Sequence, residues 1–375
     1  MHYYLALTSK CNLLCKYCYG KTSEDFLSDE ERKHYDLELA SEMNFSVDEL
    51  KKFALKDKNF ELTFYGGEPL LKIDTIKKIM DEVPAKTFML QTNGMFLNKF
   101  PSEYINRLNT ILVSIDGTLE HTNERRGNKV FEKVIANLKL IKSNGFNGEI
   151  IARMTVDETS DVFKNVTFLF ENNDFKFDSI HWQLDAQFWR ADYKERDFKA
   201  WALNQYNPKI KKLVEWWVEK IKSEKKVPKI YPFVGVMQSL LTGEKSPMKC
   251  GSGFSLLGIQ TNGHIVACPI TAGYKPFKMG DIRESSLAEV EKNKIYPDNT
   301  CLDCEILDVC GGRCLYANKT KLWGEKGFLE VCDTVFFLVN SLKSVQIEIE
   351  KMIENGELSL KDFDYRKYNG CEIIP

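Results

Sequence analysis

The distribution of cysteine constrains this 375-residue chain more than any other feature of its sequence. Three of its eleven cysteines lie at positions 11, 15 and 18, seven lie between 250 and 332, and Cys371 stands alone. The stretch 19–249 contains none. In a reducing compartment, clustered cysteines are more often metal ligands or catalytic groups than disulfides. The two groups therefore predict two separate cofactor regions.

Composition and charge are those of an ordinary soluble protein. Hydrophobic residues make up 43% and charged residues 28% of the chain, and the net charge of -2 gives no basic face for nucleic acid. No apolar run is long enough to span a membrane, and residues 1–8 lack the segments of a signal peptide. We expect a cytoplasmic protein with no nucleic-acid or membrane partner.

Strand-like and helix-like patterns alternate through the first half of the chain. The strand-like runs are Tyr3–Thr8, Phe60–Tyr65, Thr87–Gln91, Thr110–Ile115, Glu149–Val156 and Ser179–Leu184. The helical patterns between them include Val47–Ala54, Thr75–Val83, Phe131–Ser143 and Asp161–Glu171. Such alternation implies parallel strands joined by helical crossovers. The predicted fold class is α/β, with an open, partial (β/α)6 TIM-like barrel.

Polar and glycine-rich segments follow these strands. They are Lys10-Cys11, Gly66-Gly67-Glu68-Pro69, Thr92-Asn93-Gly94, Asp116-Gly117 and Asp185. In parallel α/β folds the carboxyl ends of the strands build the active site. We therefore expect the functional site at this edge of the sheet.

The remaining sequence suggests four regions. Residues 1–185 would form the barrel and 186–247 a helical bridging segment, in which the amphipathic stretch Lys209–Lys222 buries tryptophan. Residues 248–335 would form a small cysteine-rich iron–sulfur domain, and 336–375 a C-terminal helix and polar tail.

The N-terminal cysteines have the spacing C-x3-C-x2-C, in a loop directly after the first strand. Thiolates are the usual ligands of a 4Fe–4S cluster, so Cys11, Cys15 and Cys18 would hold three irons and leave the fourth open. A structural zinc site needs four ligands, and only His34 lies nearby in sequence. The loop therefore predicts a cluster with one iron open to a ligand.

This loop, with the aromatic Tyr17 before its third cysteine, closely resembles the radical S-adenosylmethionine (SAM) superfamily. The resemblance implies that SAM binds the open iron through its amino and carboxylate groups. It also implies reductive cleavage of SAM to a 5′-deoxyadenosyl radical, which abstracts hydrogen from the substrate. An electron donor such as ferredoxin or flavodoxin would supply the electron.

Other segments resemble the SAM-binding motifs of this superfamily. The turn Gly66-Gly67-Glu68-Pro69 would receive the SAM amino group through its backbone and Glu68. Ser114 and Asp116 would bind the ribose and carboxylate. The segment His121 to Gly127 places Arg126 near SAM, and Arg153 is a second candidate for the carboxylate. A structural ion pair remains the alternative role for both arginines.

The C-terminal cysteines resemble the SPASM domain of peptide- and protein-modifying radical SAM enzymes. The pattern is Cys250, Gly263-x4-Cys268, Cys301-x2-Cys304-x5-Cys310-x3-Cys314 and Cys332. The resemblance assigns Cys301, Cys304, Cys310 and Cys332 to a closed auxiliary cluster II. It assigns Cys250, Cys268 and Cys314 to auxiliary cluster I, giving three 4Fe–4S clusters in all. Zinc knuckles are the alternative for the closely spaced pairs.

Auxiliary cluster I would have three cysteine ligands where a closed cube needs four. A substrate thiolate could bind the open iron, where the metal would deprotonate it. Cys371 could instead supply the fourth ligand, or a non-cysteine ligand or water could fill the position.

Two departures bear on the substrate. Sulfatase-maturing relatives usually carry an extra cysteine, absent from residues 251–267, and an aspartate where this chain has Pro269. The cluster loop begins at residue 11, which leaves no room before it for the winged-helix leader-peptide-binding domain of many relatives. Recognition would then fall to the barrel, residues 186–247 or a separate leader-peptide-binding protein.

The sequence therefore predicts a radical SAM enzyme that modifies a ribosomally made peptide or protein side chain, by cross-linking, thioether formation or oxidation. Formylglycine formation on sulfatases is one alternative. A non-catalytic iron–sulfur electron carrier is another, although a carrier would not need the glycine-rich turn, the Ser114–Asp116 pair or an open iron.

Overall fold

One nine-stranded sheet organises the computed structural model, which describes residues 1–18, 32–36, 39–187, 191–271, 273–367, 370–371 and 373–375. Its strands are β1 (His2–Ala6), β2 (Glu61–Tyr65), β3 (Thr87–Thr92), β4 (Leu108–Ser114), β5 (Glu149–Val156), β6 (Ser179–Leu184), β7 (Leu256–Ile259), β8 (His264–Val266) and β9 (Lys278–Asp281). They are hydrogen-bonded in the order β6-β5-β4-β3-β2-β1-β7-β8-β9.

The first six strands are parallel, and each pairs with the next in sequence. Their bounds agree with the predicted runs to within two residues. This confirms the predicted α/β class with a parallel, partial-barrel core. All six carboxyl ends meet at one edge of the sheet, which is the edge predicted to carry the site.

Helices connect these strands and, with β7 to β9, form the C-terminal half of the chain. They are α1 (Val47–Ala54), α2 (Ile73–Glu82), α3 (Ser102–Ile105), α4 (Leu119–Arg126), α5 (Val130–Ser143), α6 (Val162–Glu171), α7 (Phe198–Trp201), α8 (Asn207–Glu224), α9 (Tyr231–Thr242), α10 (Leu287–Lys292), α11 (Leu307–Cys310), α12 (Leu315–Thr320), α13 (Gly324–Lys343) and α14 (Gln346–Glu354). Across the described ranges, no helix combines the length and the apolar character that a membrane span requires.

Local capping explains where the predicted helices begin. Ser46 accepts from the Glu49 backbone N–H, and Glu49 in turn accepts from the Ser46 backbone, which closes a capping box at α1. Asp161 accepts from the Lys164 backbone N–H and caps α6. These side chains satisfy backbone donors that a first helical turn leaves without partners.

The cysteine-rich region continues the sheet of the barrel, a connection that the sequence did not predict. β7 pairs parallel with β1, with His2 opposite Leu256, and β8 and β9 extend the sheet in antiparallel fashion. These strands contain only three or four residues each, too few to show a periodic pattern. β1 is therefore an interior strand, with β2 on one side and β7 on the other.

Residues near the carboxyl terminus are buried, in contrast to the polar tail expected from sequence. Ile373 and Ile374 are almost inaccessible to solvent. A Cβ atom on Gly235 of α9 would lie 2.3 Å from Ile373 Cγ2, so only glycine fits beside this side chain. A Cβ atom on Gly370 would likewise overlap the Tyr4 hydroxyl of β1, so this position also requires glycine. Helix α13 runs across residue 335, where a region boundary was predicted.

The two neighbouring tryptophans of α8 make a matched pair for testing the core. Trp217 is fully buried, its Nε1 donates to the Pro228 carbonyl at 2.9 Å, and its ring contacts Phe233. Trp216 is only partly buried, against Phe170.

We predict that Trp217→Ala lowers the free energy of unfolding by about 3–5 kcal/mol, because it leaves a cavity and removes one of the hydrogen bonds to the Pro228 carbonyl. Trp216→Ala, the control, should cost clearly less. Urea denaturation of both variants measures the difference. Equal losses would contradict this account of the helix.

Candidate active site

The three N-terminal cysteines lie in the loop after β1 and line a cavity of about 260 Å³ at the carboxyl edge of the sheet. Most of the residues predicted from sequence to contact SAM line the same cavity. They are Tyr17, Gly66, Gly67, Ser114, Arg126 and Arg153. Glu68 and Asp116 lie behind this wall, and both are completely buried.

Two glycines bring the turn after β2 into direct contact with the backbone that leads to Cys11. A Cβ atom on Gly66 would lie 2.3 Å from the Thr8 carbonyl oxygen, and one on Gly67 would lie 2.3 Å from that of Lys10. The Gly67 N–H donates to Thr8 at 2.7 Å, and the Glu68 N–H donates to Lys10 at 2.9 Å. Because no larger residue fits this approach, the turn fixes where the cluster loop begins.

The Glu68 side chain joins the ends of β2 and β3. Its Oε1 accepts from the Leu70 N–H at 3.0 Å and the Thr92 hydroxyl at 2.7 Å, and its Oε2 accepts from the Asn93 N–H at 2.8 Å. Burial raises the pKa of Glu68 to about 7, against the opposing effect of these hydrogen bonds.

Asn93 links the end of β3 to the cluster loop. Its Nδ2 lies 2.8 Å from Asn12 Oδ1 and 3.7 Å from Cys11 Sγ, while its Oδ1 accepts from the Met95 N–H. Sequence reasoning noted this polar strand end but not the contact with Cys11. The only available signal was the Thr92-Asn93-Gly94 segment itself.

A buried ion pair connects the end of β4 to helix α4. Both Asp116 carboxylate oxygens contact the Arg126 guanidinium at 2.8 Å. Asp116 also accepts from the Thr155 N–H at 2.9 Å and the Tyr17 hydroxyl at 2.5 Å. Burial, with Asp116 adding to it, raises the pKa of Tyr17 well above its ordinary value. Arg126 therefore forms the structural ion pair considered from sequence while also lining the cavity.

Arg125, which sequence reasoning did not select, holds the cluster loop from the same helix. Its side chain pairs with the buried Asp157, and its guanidinium lies 4.9 Å from the Tyr17 ring centroid. The Lys16 N–H donates to the Arg125 carbonyl at 3.0 Å. The loop is thus fixed to α4 at two consecutive residues.

Ser114 and Arg153 reach the cavity from the neighbouring strands β4 and β5, where they are paired in register. Arg153 Nη2 donates to Gln183 Oε1 on β6 at 2.8 Å. These side chains place hydrogen-bond donors on the cavity wall, at the end of β4 and in the middle of β5.

All three cysteines of the N-terminal loop face the same cavity. In the described ranges, no three Cys, His, Asp or Glu side chains converge on one point as ligands of a single ion do. A cube instead presents separate irons to separate thiolates. Cys11, Cys15 and Cys18 line one side of a cavity whose remaining volume is available to a further ligand.

Four thiols of the C-terminal group lie close together, and the shifted pKa values of three of them, Cys301, Cys310 and Cys332, reflect their neighbours. Burial raises the pKa of Cys310 to about 12, and Cys332 and Cys301 add to the rise. Burial also raises the pKa of Cys332 to about 11, with contributions from Cys301 and Cys304. We call Cys301, Cys304, Cys310 and Cys332 the four-thiol group.

The segments that carry the other three cysteines of this region pack against one another. Two residues past Cys250, Ser252 donates its hydroxyl to the Ala267 carbonyl at 2.8 Å, directly before Cys268. A Cβ atom on Gly253 would lie 3.1 Å from Leu315, the residue after Cys314.

Cys371 is buried near Tyr231, whose pKa it helps to raise after the larger effects of burial and Glu149. The Tyr231 hydroxyl donates to Glu149 at the start of β5. Tyr231 therefore lies at the edge of the sheet opposite to the cluster loop.

Glu68 gives the site a testable pH dependence. The folded chain holds a proton on Glu68 more tightly than the unfolded chain, so unfolding releases it between pH 4.5 and about 7. We predict that Glu68 makes the free energy of unfolding fall as the pH rises from 4.5 to about 7. The Glu68→Gln variant should lack this contribution to the pH dependence.

Urea denaturation at several pH values measures the effect as the difference between wild type and variant. That comparison is needed because burial lowers the pKa of His2 and His121, which gives a slope of opposite sign. Glu42→Gln is the control, since hydrogen bonds from Lys72 and Lys10 lower the pKa of Glu42 to about 2, below the window. An unchanged slope in Glu68→Gln would contradict the prediction.

Comparison of the sequence with known proteins finds one matching family model and several similar proteins. The family model described as the radical SAM superfamily matches residues 5–161. The radical SAM cyclopropyl synthase TigE of Paramaledivibacter caminithermalis is 25% identical over 378 residues, covering 93% of this chain and 74% of the relative. The cysteine-type anaerobic sulfatase-maturating enzyme of Clostridium novyi is 22% identical, covering 82% of this chain and 85% of the relative.

Solved structures share the fold. Native anSMEcpe with bound AdoMet has a TM-score of 0.71 at 19% identity, covering 93% of this chain and 99% of the other. Streptococcus suis SuiB bound to the precursor peptide SuiA has a TM-score of 0.54 at 16% identity, covering 85% and 73%. Residues 5–161, which carry the cluster loop and the strand-end motifs, are therefore a radical SAM domain, a family that implies SAM and a 4Fe–4S cluster.

Proposed function

We propose that this chain modifies a side chain of a ribosomally made peptide or protein. The observation that carries the proposal is the four-thiol group, placed in a region that shares one sheet with the SAM cavity. Two structural neighbours support a peptide substrate, since anSMEcpe is described with a bound Cp18Cys peptide and SuiB with its precursor peptide SuiA. TigE, by its name a cyclopropyl synthase, supports radical chemistry of this general kind.

The residues of the N-terminal site would divide into direct contacts and supports. When bound, the cluster and SAM supply a 5′-deoxyadenosyl radical that removes hydrogen from the substrate. Ser114 and Arg153, on the cavity wall, are suited to donate to the ribose and the SAM carboxylate. The backbone of Gly66 and Gly67 is open to the SAM amino group.

Glu68 and Asp116 support this wall from behind. The carboxylate of Glu68 accepts from Leu70, Thr92 and Asn93. That of Asp116 is engaged by Arg126, Tyr17 and Thr155. These contacts favour a positioning role, and direct binding of SAM by either carboxylate stays a prediction.

The C-terminal cysteines would hold two auxiliary clusters. The four-thiol group supplies the four ligands of a closed cluster, auxiliary cluster II. Cys250, Cys268 and Cys314 supply three ligands for auxiliary cluster I. A substrate thiolate, Cys371 or a non-cysteine ligand would complete it. Cys371 is buried beside Tyr231 and stays one of these three candidates.

Formylglycine formation on sulfatases is the second candidate, favoured by the likeness to sulfatase-maturating enzymes. Pro269 weighs against it, because this residue lines the cavity at the position where those relatives carry an aspartate proposed as a base. A non-catalytic electron carrier is disfavoured, since the cavity beside Cys11, Cys15 and Cys18 would serve no purpose in one.

Metal content tests the number of clusters. After anaerobic reconstitution we predict about twelve irons and twelve sulfides per chain, because three cubes are proposed. Iron and sulfide assays measure this directly. Stoichiometric zinc, or about four irons in a well-folded sample, would overturn the auxiliary assignment.

Cysteine variants separate the catalytic from the auxiliary region. Changing Cys11, Cys15 and Cys18 to alanine should abolish reductive SAM cleavage, because the iron that binds SAM is lost. The control variant, with Cys301→Ala and Cys304→Ala, should still release 5′-deoxyadenosine but yield no modified product.

The assay combines chromatography of 5′-deoxyadenosine with mass spectrometry of a peptide encoded by an adjacent reading frame. Normal SAM cleavage by the first variant would refute the role of the N-terminal loop. A sulfatase-derived peptide converted to formylglycine would favour the second candidate function.

A further inference from the structure

A completely buried asparagine contacts one sulfur of the four-thiol group. Asn318 of α12 has no solvent exposure, and its Nδ2 lies 3.2 Å from Cys301 Sγ. Its Oδ1 accepts from the Asp298 backbone N–H at 2.7 Å. Because a backbone N–H can donate only to the amide oxygen, this bond fixes the orientation of the amide. The NH2 group therefore points at the sulfur.

A second member of the group receives backbone donors. The backbone N–H groups of Gly312 and Arg313 lie near Cys310 and oppose the rise that burial causes in its pKa. They belong to a run of three residues, Gly311 to Arg313, with φ angles of 70°, 94° and 56°. Successive residues with positive φ can turn neighbouring N–H groups toward one anion. Two of the four sulfurs are thus contacted by N–H donors.

Asn93 at the SAM cavity shows a weaker version of the Asn318 contact. Its Nδ2 is 3.7 Å from Cys11 Sγ and is shared with Asn12 Oδ1 at 2.8 Å. Asn318 is 0.5 Å closer to its sulfur (3.7 against 3.2 Å). The stronger sulfur contact therefore belongs to the C-terminal region.

Hydrogen bonds to ligand sulfurs are one of the factors that set the reduction potential of an iron–sulfur cluster. Reduction adds negative charge, which a donor stabilises and burial in an apolar environment opposes. Cys301 and Cys310 are each only 9% exposed, so burial acts on both. A fixed N–H donor opposes this effect at little entropic cost.

We propose that Asn318 is a positioning residue that raises the reduction potential of the cluster bound by Cys301, Cys304, Cys310 and Cys332. The inference rests on the proposed function, because it requires auxiliary cluster II. It goes further by assigning a redox role to a residue outside the cysteine pattern.

Two variants of Asn318 separate the sulfur donor from the support of Asp298. Asn318→Asp keeps an oxygen for the Asp298 N–H but lacks the donor, whereas Asn318→Leu lacks both. The donor is the one interaction that both variants lose. Both are made in chains that also carry Cys11→Ala, Cys15→Ala and Cys18→Ala, so that only the auxiliary clusters contribute to the spectra.

Redox titration followed by electron paramagnetic resonance measures the potentials of these clusters. In both variants we expect one auxiliary cluster to become harder to reduce, while the other keeps its potential. Loss of a hydrogen bond to a charged group should lower its reduction equilibrium constant about tenfold, which is ~59 mV for one electron. Asn293→Asp is the control, since Asn293 Nδ2 donates to the Met279 carbonyl at 2.9 Å, and it should leave both potentials unchanged.

The outcomes distinguish this inference from the proposed function. With about eight irons bound, unchanged potentials in both variants, or a shift in Asn318→Leu alone, would overturn the inference and leave the clusters assigned. A parent chain with no auxiliary cluster would overturn both. If the variants lose iron, nitrogen-15 asparagine in the parent chain decides: a nitrogen coupling at the reduced cluster supports the contact, and its absence overturns it.

Discussion

The contact between the Gly66–Gly67 turn and the backbone of residues 8–10 determines the arrangement of the catalytic edge. At this distance neither glycine could carry a side chain, so the ends of β1 and β2 are joined through backbone groups alone. Glu68 extends the connection to β3, and Asn93 returns it to the cluster loop at Asn12. Three strand ends and the loop thus form a closed network of protein groups.

Two buried carboxylates stabilise this edge in different ways. Glu68 is surrounded by neutral donors, so burial dominates and raises its pKa. Asp116 faces the Arg126 guanidinium, which compensates for the cost of burying its charge. The first carboxylate connects β2 to β3, and the second connects β4 to α4 and, through Tyr17, to the cluster loop. Glu68 and Asp116 therefore fix the shape of the cavity wall from behind, without lining the cavity themselves.

The sequence was sufficient to predict the parallel strands because each contains five to eight residues rich in branched and aromatic side chains. The cysteine groups were equally visible, since their spacing is a local feature, and the assignment of these cysteines to clusters stays a prediction. β7 to β9 were missed because they are very short and because β7 pairs with a strand some 250 residues earlier. The contacts of Asn93 and Asn318 with sulfur, and the inward orientation of Glu68 and Asp116, depend on tertiary packing that residue type does not reveal.

The pairing of β7 with β1 has a consequence for how the two cofactor regions can exist. Strand β1 has hydrogen-bonded neighbours on both sides, one from each region. A chain cut before residue 248 would expose the backbone N–H and C=O groups along one side of β1, next to the cluster loop. Such an open edge is a template for adding a strand from another molecule. The C-terminal region covers this side of β1, so we expect that simple truncation cannot separate the two regions without leaving an edge prone to self-association.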